Sequence, residues 1–133
     1  MEKEENQELI IRTILNELGK PIGQIALFDL EGNTGFLGTW IGTPFQGKGY
    51  NQIAKERFFD ELFFQRDIES IFMKIREGNE KSKRAACKLP YVEKANATRP
   101  DVLQKINQGE FRYDLFEIRK EKYMEFIQDF LEA

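Results

Sequence analysis

The segment from Gly42 to Asn51, Gly-Thr-Pro-Phe-Gln-Gly-Lys-Gly-Tyr-Asn, carries the residues of this sequence best suited to bind a ligand. Gly47 and Gly49 have no Cβ, so the backbone N–H groups around them can turn toward a ligand without obstruction. A stretch with helical periodicity follows, and the N-terminus of a helix attracts anions through its free N–H groups and its dipole. The spacing predicts a phosphate or pyrophosphate site, with a plain strand-to-helix turn as the alternative.

Two common nucleotide-binding motifs do not match this segment. The residues from Gly42 to Lys48 fit the P-loop pattern Gly-x-x-x-x-Gly-Lys-Ser/Thr, but Gly49 replaces the hydroxyl that would bind magnesium. No apolar strand ending in a carboxylate supplies the second metal-binding aspartate. The dinucleotide pattern Gly-x-Gly-x-x-Gly fails because Gln52 stands in place of its third glycine. An NTPase stays a minor alternative, and it would require magnesium-dependent nucleotide binding.

The pattern of apolar residues predicts the elements that must position this loop. Short β-branched segments predict a three-stranded antiparallel meander and two later strands, at Leu9–Leu15, Pro21–Leu30, Phe36–Ile41, Ile71–Arg76 and Arg112–Ile118. Helical spacing predicts three helices, at Tyr50–Phe64, Lys81–Leu89 and Glu121–Leu131. The polar stretch 94–109 predicts an exposed excursion with one helical turn at Asp101–Ile106. This order predicts a mixed α/β (α+β) fold in a single domain, residues 1–133.

The composition excludes several classes of function. Twenty basic and 23 acidic side chains are mixed along the chain with no basic stripe, so we expect no nucleic-acid partner. The sequence has no histidine and only one cysteine, which excludes imidazole and thiolate metal sites. Proton transfer must then use a carboxylate, hydroxyl, lysine or water. A single cysteine favours a reduced, cytoplasmic setting, and we expect neither a secretory signal nor a membrane anchor.

Several segments, in order, resemble the GNAT superfamily of N-acetyltransferases. Gln46-Gly47-Lys48-Gly49-Tyr50-Asn51 is similar to the central motif Gln/Arg-x-x-Gly-x-Gly/Ala, which opens a helix after a strand. Gly38 to Gly42 resembles the strand that leads into this motif. The residues from Asn79 to Tyr91 resemble an Asn-x-x-Ser segment that ends in Lys-Leu-Gly-Phe, and Tyr113 to Phe116 resembles the closing strand. The set indicates the ribosomal-protein N-terminal and spermidine acetyltransferase branch.

The resemblance implies an enzyme that transfers an acetyl group from acetyl-coenzyme A to a primary amine of a small molecule or protein N-terminus. The amine attacks the thioester directly, and no metal takes part. Backbone groups near Trp40, Ile41 and Gly42 would meet the pantetheine and the acetyl carbonyl. The loop residues would hold the pyrophosphate, with Lys48 adding an ionic contact. The implied cofactor-binding residues are Trp40, Ile41, Gly42, Gln46, Gly47, Lys48, Gly49, Tyr50, Asn51, Asn79 and Ser82.

Four positions outside the loop have roles that the resemblance suggests or leaves open. Asn79 would contact the cofactor arm, and Ser82 would be the catalytic acid beside the sulfur. Both residues also suit the start of a short helix, as an N-cap and a turn residue. Tyr91 is expected in the core, and Cys87 is expected to be a buried helix residue without a catalytic role.

No general base can be named from the residues. Phe36 stands where many relatives carry a glutamate that can act through water. Glu77 and Asp29 are expected to be solvated surface carboxylates. The acceptor also stays open, because in this superfamily it is set by the variable parts of the fold.

The beginning of the chain carries a further expectation, an N-terminally shortened version of the fold. Relatives begin with a strand and two helices that wall the acceptor site, whereas the first predicted strand here starts at Leu9. The groove would then be open or covered by a partner subunit. The alternative function is a non-catalytic acyl-coenzyme A-binding or regulatory module of the same fold. The Phe-rich helix favours exposed apolar surface, so a homodimer is the expected assembly.

Overall fold

The structure, a computed structural model, describes residues 9–132 of the 133-residue chain. The chain divides into two compact units, one up to Ile68 and one from Glu69 onward. The prediction of a single domain stays a prediction.

The first unit begins with an antiparallel meander, as predicted. Its strands are β1 (Leu9–Leu15), β2 (Pro21–Glu31) and β3 (Thr34–Ile41). Strand β2 lies in the middle, because Ala26 is opposite Ile11 on one side and opposite Gly38 on the other. Alternate side chains of a strand point to opposite faces, and the buried face of this meander includes Ile10, Ile25 and Leu27.

A long helix, α1 (Tyr50–Gln65), follows β3 and closes this unit. Its buried side chains are spaced so that they lie on one stripe, as the apolar pattern predicted; they are Phe58, Phe59, Leu62 and Phe63. The Arg12 guanidinium on β1 binds the Glu61 carboxylate on α1, with an Nε–Oε1 distance of 3.1 Å. A short 3-10 helix, Thr43–Phe45, precedes α1 and was not predicted; Pro44 suits the first turn of such an element.

The second unit is built around one central strand. Its elements, in order, are β4 (Ser70–Arg76), α2 (Glu80–Cys87), β5 (Val92–Lys94), α3 (Pro100–Ile106), β6 (Tyr113–Arg119) and α4 (Lys120–Glu132). Strand β6 is antiparallel to both β4 and β5, so that Phe116 lies opposite Met73 and Lys94. Ile71, Leu115 and Ile118 are fully buried. The two longer strands and the helices were predicted, and β5 was not.

The polar stretch after β5 is fixed to β6 at its beginning. The Ala95 N–H donates to the Leu115 carbonyl at 2.8 Å, and the Asn96 side chain accepts from the Leu115 N–H at 2.8 Å. The Arg99 guanidinium then forms two hydrogen bonds to the Glu117 carboxylate, which is 4% exposed. The predicted helical turn is present as α3. The prediction that the whole stretch is an exposed excursion was wrong for its first residues, because their backbone and side chains bind β6.

The fold class is confirmed as mixed α/β with antiparallel strand pairing and flanking helices. Tyr91 is buried, as expected, and contacts Tyr123 and Phe126 edge to face. The expectation of a buried Cys87 was wrong. Cys87 is exposed because it is the last residue of α2, and the buried position of that helix is its neighbour Ala86.

Candidate functional site

The backbone of the loop between β3 and α1 adopts conformations that favour glycine. Gly47 has φ 76° and Gly49 has φ 86°, both in the left-handed region. A Cβ at either position would meet nothing within 4 Å, so these positions require glycine for its backbone freedom and not for space. Gly49 is the N-cap of α1 and has no side chain to cap it. The first N–H groups of α1 therefore lack an acceptor within the helix and are available to an anion.

Gln46 and Gly42 anchor this loop to the end of the meander. The Gln46 side-chain amide donates to the Ile41 carbonyl at 2.9 Å. The Gly42 N–H donates to the Ile22 carbonyl at 2.8 Å. The Ile41 carbonyl and the Gly42 N–H, two of the backbone groups in the predicted pantetheine contact, are thus already used inside the chain.

Trp40 lines a shallow pocket of about 590 Å³, together with Gly42 and Phe45. Its side chain is 64% exposed although it belongs to β3. Strand β2 lies very close to β3 at this point. A Cβ on Gly23 would therefore collide with the Trp40 carbonyl oxygen. An exposed indole beside a glycine-lined pocket can contact a flat or extended ligand through its face.

The Tyr50 side chain points to the hairpin between β1 and β2. Its hydroxyl donates to the Glu17 carboxylate, at 2.9 and 2.8 Å from the two oxygens. This bond lowers the pKa of Glu17 below its ordinary value and raises the pKa of Tyr50. The Tyr50 ring also meets Phe45 edge to face, with the Lys20 ammonium above the Phe45 ring. No sequence signal indicated Glu17, which is 33 residues from its partner.

In the second unit the structure brings Asn79 and Ser82 together at the start of α2. Asn79 is the N-cap of this helix, and its side-chain oxygen accepts from the Ser82 N–H at 3.2 Å. The interpretation of Asn79 as a capping residue is confirmed. Both residues are exposed. A cofactor contact by Asn79 and an acid role for Ser82 stay predictions.

A second shallow pocket, of about 530 Å³, opens beside Asn79. Arg76, Glu77, Phe111 and Arg112 line it. Glu77 is a solvent-exposed carboxylate, as expected, and so is Asp29 in the first unit. Arg76 and Phe111 are brought together by the pairing of β4 with β6, which no local sequence pattern indicates.

Two further features are absent from residues 9–132, a metal-binding cluster and a membrane-spanning helix. No group of three His, Cys, Asp or Glu side chains there is arranged to hold a metal ion. No helix in that part of the chain is long and apolar enough to cross a membrane.

The chain thus combines a mixed α/β fold with a helix that follows a strand and has Gly49 as its N-cap. Residues 1–91 match the family model described as acetyltransferase (GNAT) domain. The chain belongs to the GNAT acetyltransferase family, as its motifs predicted. It is an N-acetyltransferase of a family whose co-substrate is acetyl-coenzyme A and whose reaction is acetyl transfer to an amine.

Solved structures of acetyltransferases from Vibrio cholerae share this fold. Spermidine/spermine N-acetyltransferase SpeG in complex with manganese ions has a TM-score of 0.72 and 15% identity, over 93% of this chain and 72% of that chain. A dodecameric spermidine N-acetyltransferase in an intermediate state has a TM-score of 0.70 and 16% identity, over 92% and 71% of the two chains. A chimera of SpeG and hSSAT has a TM-score of 0.75 and 15% identity, over 92% and 74%. No curated protein matches the sequence.

Proposed function

We propose that this chain transfers the acetyl group of acetyl-coenzyme A to a primary amine of a small molecule or protein N-terminus. The observation that carries the proposal is the loop before α1. Its two glycines have left-handed backbones, and its helix begins at Gly49 without a side-chain cap. A pyrophosphate is the ligand that best fits several unpaired N–H groups at a helix N-terminus.

The residues of the loop would hold the cofactor in this reaction. The backbone N–H groups from Gly47 to Asn51 bind the pyrophosphate, and the exposed Lys48 ammonium adds a screened ionic contact. Trp40 contacts the pantetheine, and Asn79 contacts the cofactor arm. Most of the rate enhancement then comes from holding the thioester and the amine in line.

The chemical step is a direct transfer without a covalent enzyme intermediate. The amine nitrogen attacks the acetyl carbon, a C–N bond forms, and the C–S bond breaks. The Ser82 hydroxyl donates a proton to the leaving sulfur, and the proton released by the amine passes to water and restores the hydroxyl. General acid catalysis of this kind typically contributes about 10²–10⁴-fold.

Calorimetric titration with acetyl-coenzyme A tests the binding half of the proposal. The wild-type chain should bind, and Gly49→Ala should bind at least tenfold more weakly, because alanine is strained at φ 86°. Gly32→Ala is the matched control, since Gly32 also has positive φ and no neighbour within 4 Å but lies in the β2–β3 turn. Absence of wild-type binding at high cofactor concentration would contradict the proposal.

Release of coenzyme A thiol with a panel of primary amines tests the catalytic half. Spermidine belongs in the panel because the similar solved structures are spermidine acetyltransferases. The assay should use Cys87→Ser, since the exposed Cys87 thiol would itself react with a thiol reagent. Ser82→Ala should lower kcat by about 10²-fold or more, a larger effect than any loss of cofactor binding. Binding without turnover of any amine would instead indicate a non-catalytic acyl-coenzyme A-binding module.

We also propose that the chain self-associates and acts in the cytoplasm. Exposed apolar side chains on α4 support self-association, namely Met124, Phe130 and Leu131. The similar dodecameric enzyme supports it as well. The single cysteine of the sequence supports a reduced compartment. Light scattering coupled to size exclusion should give a mass of at least two chains, and a strict monomer would contradict self-association.

A further inference from the structure

Two side chains that line the pocket beside Asn79, those of Arg76 and Phe111, are stacked on each other. The Arg76 guanidinium lies over the Phe111 ring, 3.6 Å from its centroid. This cation–π contact fixes the planar end of a side chain that would otherwise move freely. Phe111 is 47% exposed, so the stacked pair remains accessible from solvent.

Backbone hydrogen bonds fix the rest of the rim. The Asn79 N–H donates to the Arg76 carbonyl at 2.8 Å, and the Glu77 N–H donates to the Arg112 carbonyl at 3.0 Å. These two bonds connect the end of β4 to the residue before β6 and to the N-cap of α2. The backbone positions of Arg76, Glu77 and Arg112 around the pocket are therefore determined before any ligand binds.

The charged side chains that line this pocket carry more positive than negative charge. Two guanidiniums and one carboxylate line the pocket, from Arg76, Arg112 and Glu77. Neither arginine is ion-paired with another residue of the part of the chain that the structure describes. A guanidinium fits a planar anion through two parallel hydrogen bonds, and such charge-assisted bonds are stronger than neutral ones. A ligand with one ammonium and one anionic group complements this rim.

The pocket adjoins a residue of the proposed cofactor set, because Asn79 lines it as well. An acceptor held there would lie next to the cofactor arm. A polyamine such as spermidine, with several ammonium groups, would face two guanidiniums and a single carboxylate. Like charges brought together in this way weaken binding and reject the wrong partner.

Building on the proposed acetyl transfer, we propose that this pocket selects acceptors that carry a carboxylate a few bonds away from the amine. Arg76 and Arg112 bind the anionic group, and the Glu77 carboxylate binds the ammonium and orients it. Glu77 is a positioning residue in this scheme. Spermidine and other polycationic amines are poor acceptors.

Three probes test the selection: 4-aminobutyrate and butylamine, which both have four carbons, and the longer polyamine spermidine. Each is titrated into the protein saturated with coenzyme A, so that binding is measured without turnover. 4-Aminobutyrate should bind about tenfold or more tightly than butylamine, the gain expected from a charge-assisted hydrogen bond. The advantage should fall as salt increases, because the groups are near the surface.

Two variants test whether Arg76 and Arg112 cause the preference for 4-aminobutyrate. R76Q combined with R112Q should remove the advantage of 4-aminobutyrate over butylamine and leave acetyl-coenzyme A binding unchanged. R66Q is the control for loss of positive charge elsewhere, since it removes one guanidinium at the end of α1, outside this pocket, and should keep the advantage. All three side chains are at the surface, so the variants should fold.

Equal or tighter binding of butylamine or spermidine would overturn the selection of anionic acceptors. Persistence of the 4-aminobutyrate advantage in the double variant would overturn its assignment to this pocket. Turnover of the same three amines is measured separately. If the binding preference is present but none of the probes or other amines is acetylated, the proposed enzymatic function fails while the charge preference of the pocket stands.

Discussion

The Tyr50 hydroxyl binds the Glu17 carboxylate across 33 positions of sequence. Tyr50 is the first residue of α1, directly after the glycine loop, and Glu17 lies in the hairpin between β1 and β2. The bond therefore joins a residue near the end of the predicted cofactor loop to the first turn of the meander. Three of our predictions concern such long-range contacts, and one concerns a close approach of two strands.

The first prediction concerns the pH range in which this bond contributes to stability. Glu17 has a lowered pKa, so its contribution is present above the unfolded pKa and is lost as pH falls through the folded value. Tyr50 has a raised pKa, so its contribution is present below about pH 10 and is lost as pH rises through the folded value. Glu17→Gln should return the pKa of Tyr50 toward its ordinary value, as measured by NMR of the labelled ring. An unchanged Tyr50 titration would show that the bond does not form in solution.

The second prediction concerns Gly23. A Cβ at this position would collide with the carbonyl oxygen of Trp40, which is backbone and cannot move aside. Gly23→Ala should lower the free energy of unfolding by about 1–3 kcal/mol, the usual cost of overpacking. Gly109→Ala, with no neighbour within 4 Å, should change it by less than about 0.5 kcal/mol. Urea denaturation measures both values, and equal effects would disprove the collision.

The third prediction compares two ion pairs of β6. Arg99→Ala leaves the buried Glu117 carboxylate without its guanidinium, although Ser70 still donates to it at 2.6 Å. We expect the free energy of unfolding to fall by about 2–3 kcal/mol. This is at or below the usual cost of breaking a buried ion pair, because Arg99 is itself partly exposed. Arg119→Ala breaks a half-exposed pair with Glu93 and should cost less than about 1 kcal/mol. Comparable losses in the two variants would show that burial of Glu117 is energetically unimportant.

The fourth prediction concerns acid stability. The Asn96 amide and then the Lys83 ammonium lower the pKa of Asp114. This carboxylate therefore contributes stability above its unfolded pKa of about 3.9, and the contribution is lost as pH falls through the folded value. Asn96→Ala should raise the folded pKa of Asp114 and make stability less dependent on pH in this acid range. NMR titration of the carboxyl carbon provides the measurement, and a pKa equal to that of the wild type would refute the role of Asn96.

The longer elements could be predicted from the sequence because their periodicity spans several residues. Strand β1 was predicted at its observed bounds, and α1 to within one residue. Strand β5 has only three residues, too few for an alternating pattern to show. The prediction that Cys87 is buried was wrong for a similar reason. A helix of eight residues is too short for its sequence to indicate whether the last side chain faces the core or the solvent.

Residues of the candidate site could be predicted from the sequence only where they are close to one another in the chain. The glycine loop could be found because Gly47, Gly49 and the helix that follows form one continuous segment. The capping of α2 by Asn79 could also be anticipated from local spacing. Arg76 and Phe111 could not be connected in this way, since 35 positions separate them and no local pattern links them.

The bond from Gln46 to the Ile41 carbonyl has a consequence for the thermodynamics of ligand binding. A loop that must become ordered around a ligand loses conformational entropy, and each residue fixed costs roughly 1–2 kcal/mol of the interaction energy. Gln46 already restrains the residues between the end of β3 and the first glycine. The ordering cost of this part of the loop is then met during folding, so a larger share of the energy of anion contacts at the start of α1 appears as affinity.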